Sequence, residues 1–168
     1  MRFRGLYIGL IVLSGAAALA GDVGHAIDAA LAGLDARASD EPYNRAIERM
    51  YIGFDDSGRP QTGLAYREIE SFKPITGVVI VDQTAIGFVL REALFPDIAK
   101  IKNAKDRKQV LAVLKQFKNI PFDPHAEKSA VDGLTGATRY GIKASGYLNY
   151  MARRIALEME SNPTWAKK

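Results

Sequence analysis

The chain has 168 residues, 48% hydrophobic and 25% charged, which is enough for one folded core and too balanced for a disordered segment. Its formal net charge is +4, and two of its 23 basic residues, Arg2 and Arg4, fall in a segment expected to be removed. That leaves 21 basic against 19 acidic residues, a field too weak to favour nucleic acid as a partner. There is no cysteine, which excludes disulfides, thiol catalysis, cysteine-bound zinc, iron–sulfur clusters and c-type haem attachment.

In chain order, Arg2 and Arg4, the apolar run Leu6–Leu13 and the small-residue site Ala18-Leu19-Ala20 read as a secretory signal over residues 1–20. The competing reading is an uncleaved membrane anchor, although the apolar run is short of the roughly 20 residues that a spanning helix needs. Cleavage predicts a mature chain from Gly21, exported to the periplasm or another extracytoplasmic space. No later segment is apolar for long enough to span a bilayer.

Ile27, Ala30, Leu31 and Leu34 recur at helical spacing, with Asp22 as a candidate cap. Pro42 is expected to open a second helical turn through Ile47 and Met50. Tyr51–Phe54 and Leu64–Ile69 read as strands joined through the turn residues Asp55-Asp56-Ser57-Gly58. The β-branched run Gly77–Val81 suits a strand covered on both faces. Ile86–Leu94 is ambiguous between strand and helix, and Pro96 ends it either way. The basic residues between Lys100 and Lys118 read as a solvated helix face, with Val110, Leu111, Val113, Leu114 and Phe117 helical in period. Pro121 and Pro124 mark a loop. The last element runs from about Thr138 to Glu160, with a broad apolar stripe from Tyr140 to Met159. The expectation is a single α+β domain over residues 21–168, with a central, mostly antiparallel sheet, flanking helices and a long C-terminal helix.

The informative stretch is Val131-Asp132-Gly133-Leu134-Thr135-Gly136-Ala137-Thr138-Arg139-Tyr140, a loop entering that final helix. Gly136 and Ala137 are small and permit close approach to the backbone. Thr138 presents a hydroxyl at the helix start, where unpaired N–H groups and the helix dipole favour a phosphate, and Arg139 and Lys143 add positive charge. The plain alternative is a threonine cap with Asp and Gly shaping the preceding turn.

The segment Asp132–Thr138 resembles the flavinylation motif of the FMN-binding domain family. That family includes the flavin-bearing periplasmic subunits of the sodium-translocating NADH:quinone reductase and of the Rnf electron-transport complex. Its pattern is Asp, two variable residues, Ser or Thr, then Gly-Ala-Thr. Here Asp132, Thr135, Gly136, Ala137 and Thr138 match, with Gly133 and Leu134 in the variable places. Many members carry Ser or Thr two residues beyond the attachment point, where this chain has Tyr140. The long C-terminal helix thus starts at the motif.

The resemblance implies FMN joined covalently, by a phosphoester, to Thr138. It also implies a separate flavin transferase that installs the group from FAD with magnesium, so Thr138 is an attachment point and not a catalytic nucleophile. Covalent attachment suits a compartment poor in free FMN, because it removes the dissociation equilibrium. The implied role is an exported electron carrier working between donor and acceptor proteins or a membrane electron-transport complex. Two alternatives stay open: a flavin-dependent reductase acting on a small acceptor such as a quinone or organic acid, and a non-redox interaction module. No residue is assigned to chemistry on a substrate.

His25 and His125 are the only histidines and lack ligand spacing, so no metal site is expected. Asp55–Gly58 lacks the alternating ligands of a calcium loop and reads as a hairpin turn. Tyr66, Tyr140 and Trp165 are aromatic candidates for contact with a flavin ring. Tyr140 is better placed for core packing, and Trp165 stands in a polar tail read as outside the ordered core.

Overall fold

The computed structural model describes residues 21–70, 74–131 and 139–166. The elements are α1 (Gly21–Ala30), β1 (Asp35–Ala38), β2 (Arg49–Phe54), β3 (Pro60–Ile69), β4 (Ile75–Thr84) and β5 (Gly87–Leu94). They continue with α2 (Ala104–Leu114), β6 (Lys118–Phe122) and α3 (Arg139–Ser161). Short 3-10 turns occupy Ile98–Lys100 and Thr164–Ala166. The six strands form one antiparallel sheet in sequence order, β1-β2-β3-β4-β5-β6. The expected single α+β domain is present, with an open antiparallel sheet, flanking helices and a long final helix.

Period-two alternation divides the central strands between two cores. In β4, Ile75, Val79 and Val81 join the larger cluster with α2 and α3, while Val78 and Ile80 face α1. In β3, Ala65 and Ile69 point to the first cluster, Leu64 and Tyr66 to the second. That is why GVVIV carries no polar residue: both of its faces are covered.

The long helix α3 buries Ala144, Leu148, Met151, Ala152, Ile155, Ala156 and Met159, the stripe expected from the sequence. Close approach to the sheet depends on Gly63. A Cβ there would lie 2.2 Å from Ile155 Cγ2 and 2.9 Å from Met159 Sδ. Further along β3, the Arg67 guanidinium stands 3.7 Å from the centre of the Tyr147 ring. Gly63 therefore lies under the end of α3 and Arg67 under its earlier part, so the helix runs antiparallel to β3. Its N-terminus lies at the end of the sheet where β3 passes into β4.

Several local expectations are corrected. Asp22 falls within α1 and not ahead of it, and Leu31 and Leu34 follow the helix as a turn. No helix forms around Pro42: the Glu41–Pro42 peptide is cis, and Asn44 Oδ1 accepts the N–H groups of Ala46 (2.7 Å) and Ile47 (2.9 Å). An Asn side chain that satisfies its neighbours in this way holds a turn against the helical alternative. Ile86–Leu94 resolves as a strand from Gly87, leaving Ile86 exposed at the hairpin tip.

Leu111 faces solvent, although it fits the helical period, and Phe117 is fully buried just beyond α2. Pro121 lies inside β6, opposite Val89, because an edge strand tolerates a residue that cannot donate. Trp165 is held in place. Its Nε1 donates to Glu158 Oε2 (3.3 Å), and its ring meets Tyr43 edge-on at 6.5 Å.

Candidate cofactor-attachment segment

Asp132, Thr135, Gly136, Ala137 and Thr138, with Gly133 and Leu134 between them, lie outside the described residues. Both ends of the segment are described. At the near end Val131 is gripped by the amide of Asn149. Val131 N–H donates to Asn149 Oδ1 (3.0 Å), and Asn149 Nδ2 donates to Val131 C=O (3.1 Å). At the far end the chain enters α3 at Arg139. The segment thus bridges a point pinned to the third turn of the helix and the first residue of the same helix.

Next to the Val131 clamp, a cleft of about 220 Å³ opens between the chain after β6 and α3, with Phe122, Lys128, Gly146, Asn149, Tyr150 and Arg153 on its walls. Gly146 has open space where a Cβ would stand: beyond its own helix backbone and chain neighbours, no atom of the described residues comes within 4 Å. A glycine inside a helix costs about 1 kcal/mol relative to alanine, and no neighbour of Gly146 requires it. Tyr150 is 43% exposed and its hydroxyl accepts from Asn44 Nδ2 at 3.3 Å. Lys128 and Arg153 are exposed and have no ion-pair partner among the described residues. Positions 139, 146 and 153 are spaced by seven, close to two helical turns, so they fall near one line along α3. Gly146 and Arg153, which line the cleft, therefore share a helix face with position 139, the first residue of α3.

Most other residues weighed in the sequence lie elsewhere. Tyr66 is 1% exposed, on the α1 side of the sheet and opposite α3. Its hydroxyl has no hydrogen-bond partner among the described residues, and burial pushes its pKa up to about 12. Tyr140 lies in the first turn of α3. Trp165 packs near Glu158, toward the opposite end of that helix. His25 is exposed, and His125 Nε2 meets Glu160 Oε2 at 2.6 Å on the surface. Among the described residues no cluster of His, Asp and Glu is placed to hold a metal ion.

The Asp55 carboxylate is occupied by its own turn. It accepts from Ser57 Oγ (2.6 Å), Ser57 N (2.9 Å), Arg59 N (3.0 Å) and Gln61 Nε2 (3.0 Å). The Ser57 hydroxyl, with the Arg59 N–H behind it, pulls its pKa down to about 2.

Two side-chain networks were not anticipated. Tyr43 OH donates to Glu158 Oε1 (2.5 Å) and accepts from Arg154 Nε (2.8 Å), and Arg154 also pairs with Glu158. Burial, followed by the Glu158 hydrogen bond, pushes the Tyr43 pKa up to about 12. This cluster ties the cis-proline loop to α3. The Arg154–Glu158 spacing of four was a legible signal, whereas the partner more than a hundred residues away was not. In the second network a register shift between Ile80 and Val81 leaves Arg91 without a cross-strand partner. Arg91 turns onto Asp82 (2.7 Å) and Thr62 (3.1 Å). Both networks are internally satisfied and stabilise the fold; neither leaves a group free for chemistry.

Among the described residues no helix is long and apolar enough to cross a membrane. No protein-family model matches the chain, and no similar protein was found among curated proteins or solved structures.

Proposed function

We propose that this chain is an exported electron-carrier flavoprotein bearing FMN in phosphoester linkage to Thr138. The observation that carries the reading is the sequence Asp132-Gly133-Leu134-Thr135-Gly136-Ala137-Thr138, set directly ahead of α3. The residues bordering that segment fit such a group. Open space over Gly146 leaves room for a planar ring, and Lys128 and Arg153, which have no ion-pair partner among the described residues, suit the negative charge the ring gains on reduction. The start of α3 offers backbone N–H groups and the positive end of its dipole to a phosphate. At about 220 Å³ the cleft is smaller than the ~300 Å³ lower end of ordinary ligand pockets, which suits a tethered group better than one held by enclosure alone.

Bound FMN supplies the redox chemistry, and the protein contributes position, electrostatics and access. Asn149 holds the chain entering the segment, and α3, anchored by its buried stripe, holds the chain leaving it. The resemblance of Asp132–Thr138 to the flavinylation motif supports a carrier working between a donor and an acceptor ahead of a stand-alone catalyst. A flavin transferase is the required maturation partner.

The test is co-expression with such a transferase, followed by denaturing electrophoresis. The wild-type band should fluoresce and the Thr138→Ala band should not. Fluorescence retained in the Ala variant overturns the assignment, and so does a dark, unmodified wild-type band.

A further inference from the structure

The outward face of α2 belongs to neither core nor cleft. Val110 and Val113 face inward, and Asn103 caps the helix by accepting from Lys105 N (2.9 Å) and Asp106 N (3.3 Å). These contacts hold the opposite face rigid. Ala104, Lys108, Leu111 and Lys115 follow one another there at helical spacing, with Lys102 and Lys105 alongside, and all are exposed. Leu111 is 45% exposed among these lysines. None of Lys102, Lys105, Lys108 and Lys115 has an ion-pair partner among the described residues. The acidic residue within α2, Asp106, is half-buried.

We propose that this face docks the protein on a membrane surface of anionic phospholipid headgroups. Charge complementarity and composition both favour lipid over an acidic protein. Interface cores between proteins are depleted in Lys and enriched in aromatic residues and Arg. This face has four lysines without an ion-pair partner among the described residues and no aromatic residue, and the Arg of α2, Arg107, turns aside to donate to Ile101 C=O (3.1 Å). Lysines on flexible stems adapt to a fluid, delocalised negative surface, and one exposed Leu can enter the headgroup boundary between them. The inference is independent of the flavin: it uses no residue of the attachment segment and holds whether or not Thr138 is modified.

The experiment is sedimentation of the full-length protein with vesicles of pure phosphatidylcholine and with equimolar phosphatidylglycerol and phosphatidylcholine. Each lysine near an anionic surface strengthens binding about fivefold, so the four together should favour the anionic vesicles by about six-hundredfold. The variant Lys102→Glu/Lys105→Glu/Lys108→Glu should lose that preference, and Lys→Gln at the same positions should lose most of it. Added salt should abolish it, as the screening length falls from about 10 Å at 0.1 M to about 3 Å at 1 M. Circular dichroism of each variant should match wild type, since all three side chains are exposed. Equal binding to both vesicle types overturns the proposal, as does undiminished preference in the Glu variant. Tighter, lysine-dependent binding to immobilised polyglutamate than to the anionic vesicles also overturns it, in favour of an acidic protein partner.

Discussion

Removal of the Asn149 amide isolates the link between fold and attachment segment. In Asn149→Leu two hydrogen bonds to Val131, at 3.0 and 3.1 Å, are lost together. Each contributes about 0.5–1.5 kcal/mol net, and both Val131 groups are near enough to the surface to regain water, which places the loss toward about 1–2 kcal/mol. Leucine also suits a helix better than asparagine, which returns up to about 0.5 kcal/mol. The expected net destabilisation is about 0.5–2 kcal/mol, read from urea unfolding followed by far-ultraviolet circular dichroism. Flavin incorporation should slow as well, because the segment is less often presented in one geometry. Asn149→Asp should fall between: its carboxylate still accepts from Val131 N–H but cannot donate to the carbonyl. If Asn149→Leu changes stability by less than about 0.5 kcal/mol and is flavinylated at the wild-type rate, the clamp is not what presents the segment.

Gly63→Ala should destabilise by about 1–3 kcal/mol, since its methyl meets Ile155 on a central strand that cannot shift. Adding Ile155→Ala should make the double variant less destabilised than the two single losses combined, and strict additivity would contradict that contact. Tyr43 and Tyr66 are both held protonated, with pKa values raised to about 12. Between pH 10 and pH 12 the unfolded chain therefore releases protons that the folded chain keeps, and stability should fall as pH rises, by about 3 kcal/mol for the pair after allowance for Tyr43's partial exposure. Tyr66→Phe should weaken that alkaline loss and be neutral or stabilising by about 1 kcal/mol near pH 7, because the hydroxyl it removes is buried without a partner; a clear destabilisation would show that the hydroxyl is satisfied. Gly136→Val should give a folded but poorly flavinylated protein, judged by circular dichroism and flavin absorbance on the same sample, and full loading would show that close approach is not what the glycine provides.

Long periodic signals made most of the fold legible. The α3 stripe and the β-branched run of β4 were read correctly because each covers a wide, continuous buried surface. What failed was set by partners distant in sequence or by a single local bond. The turn at Asn44 depends on one side-chain oxygen, Pro121 is tolerated because β6 ends the sheet, and Leu111 matched the helical period while facing water. The short strand β1 went unseen, since Asp35–Ala38 is four residues long, alternates charged residues only with small alanines and pairs on one edge alone. The proposed attachment residues were legible only as a motif, without any periodicity. The Asn149 clamp on Val131 and the open face at Gly146 became visible only once α3 was laid beside the chain that follows β6.

The central claim, a flavin on Thr138, is tested most directly by peptide mass spectrometry of protein produced alongside a flavin transferase. The account predicts a proteolytic peptide spanning Asp132–Thr138 that is heavier by one FMN less one water, with fragmentation placing the added mass on Thr138. A wholly unmodified peptide, from cells in which the same transferase labels a control substrate, would contradict it, as would the added mass on Thr135.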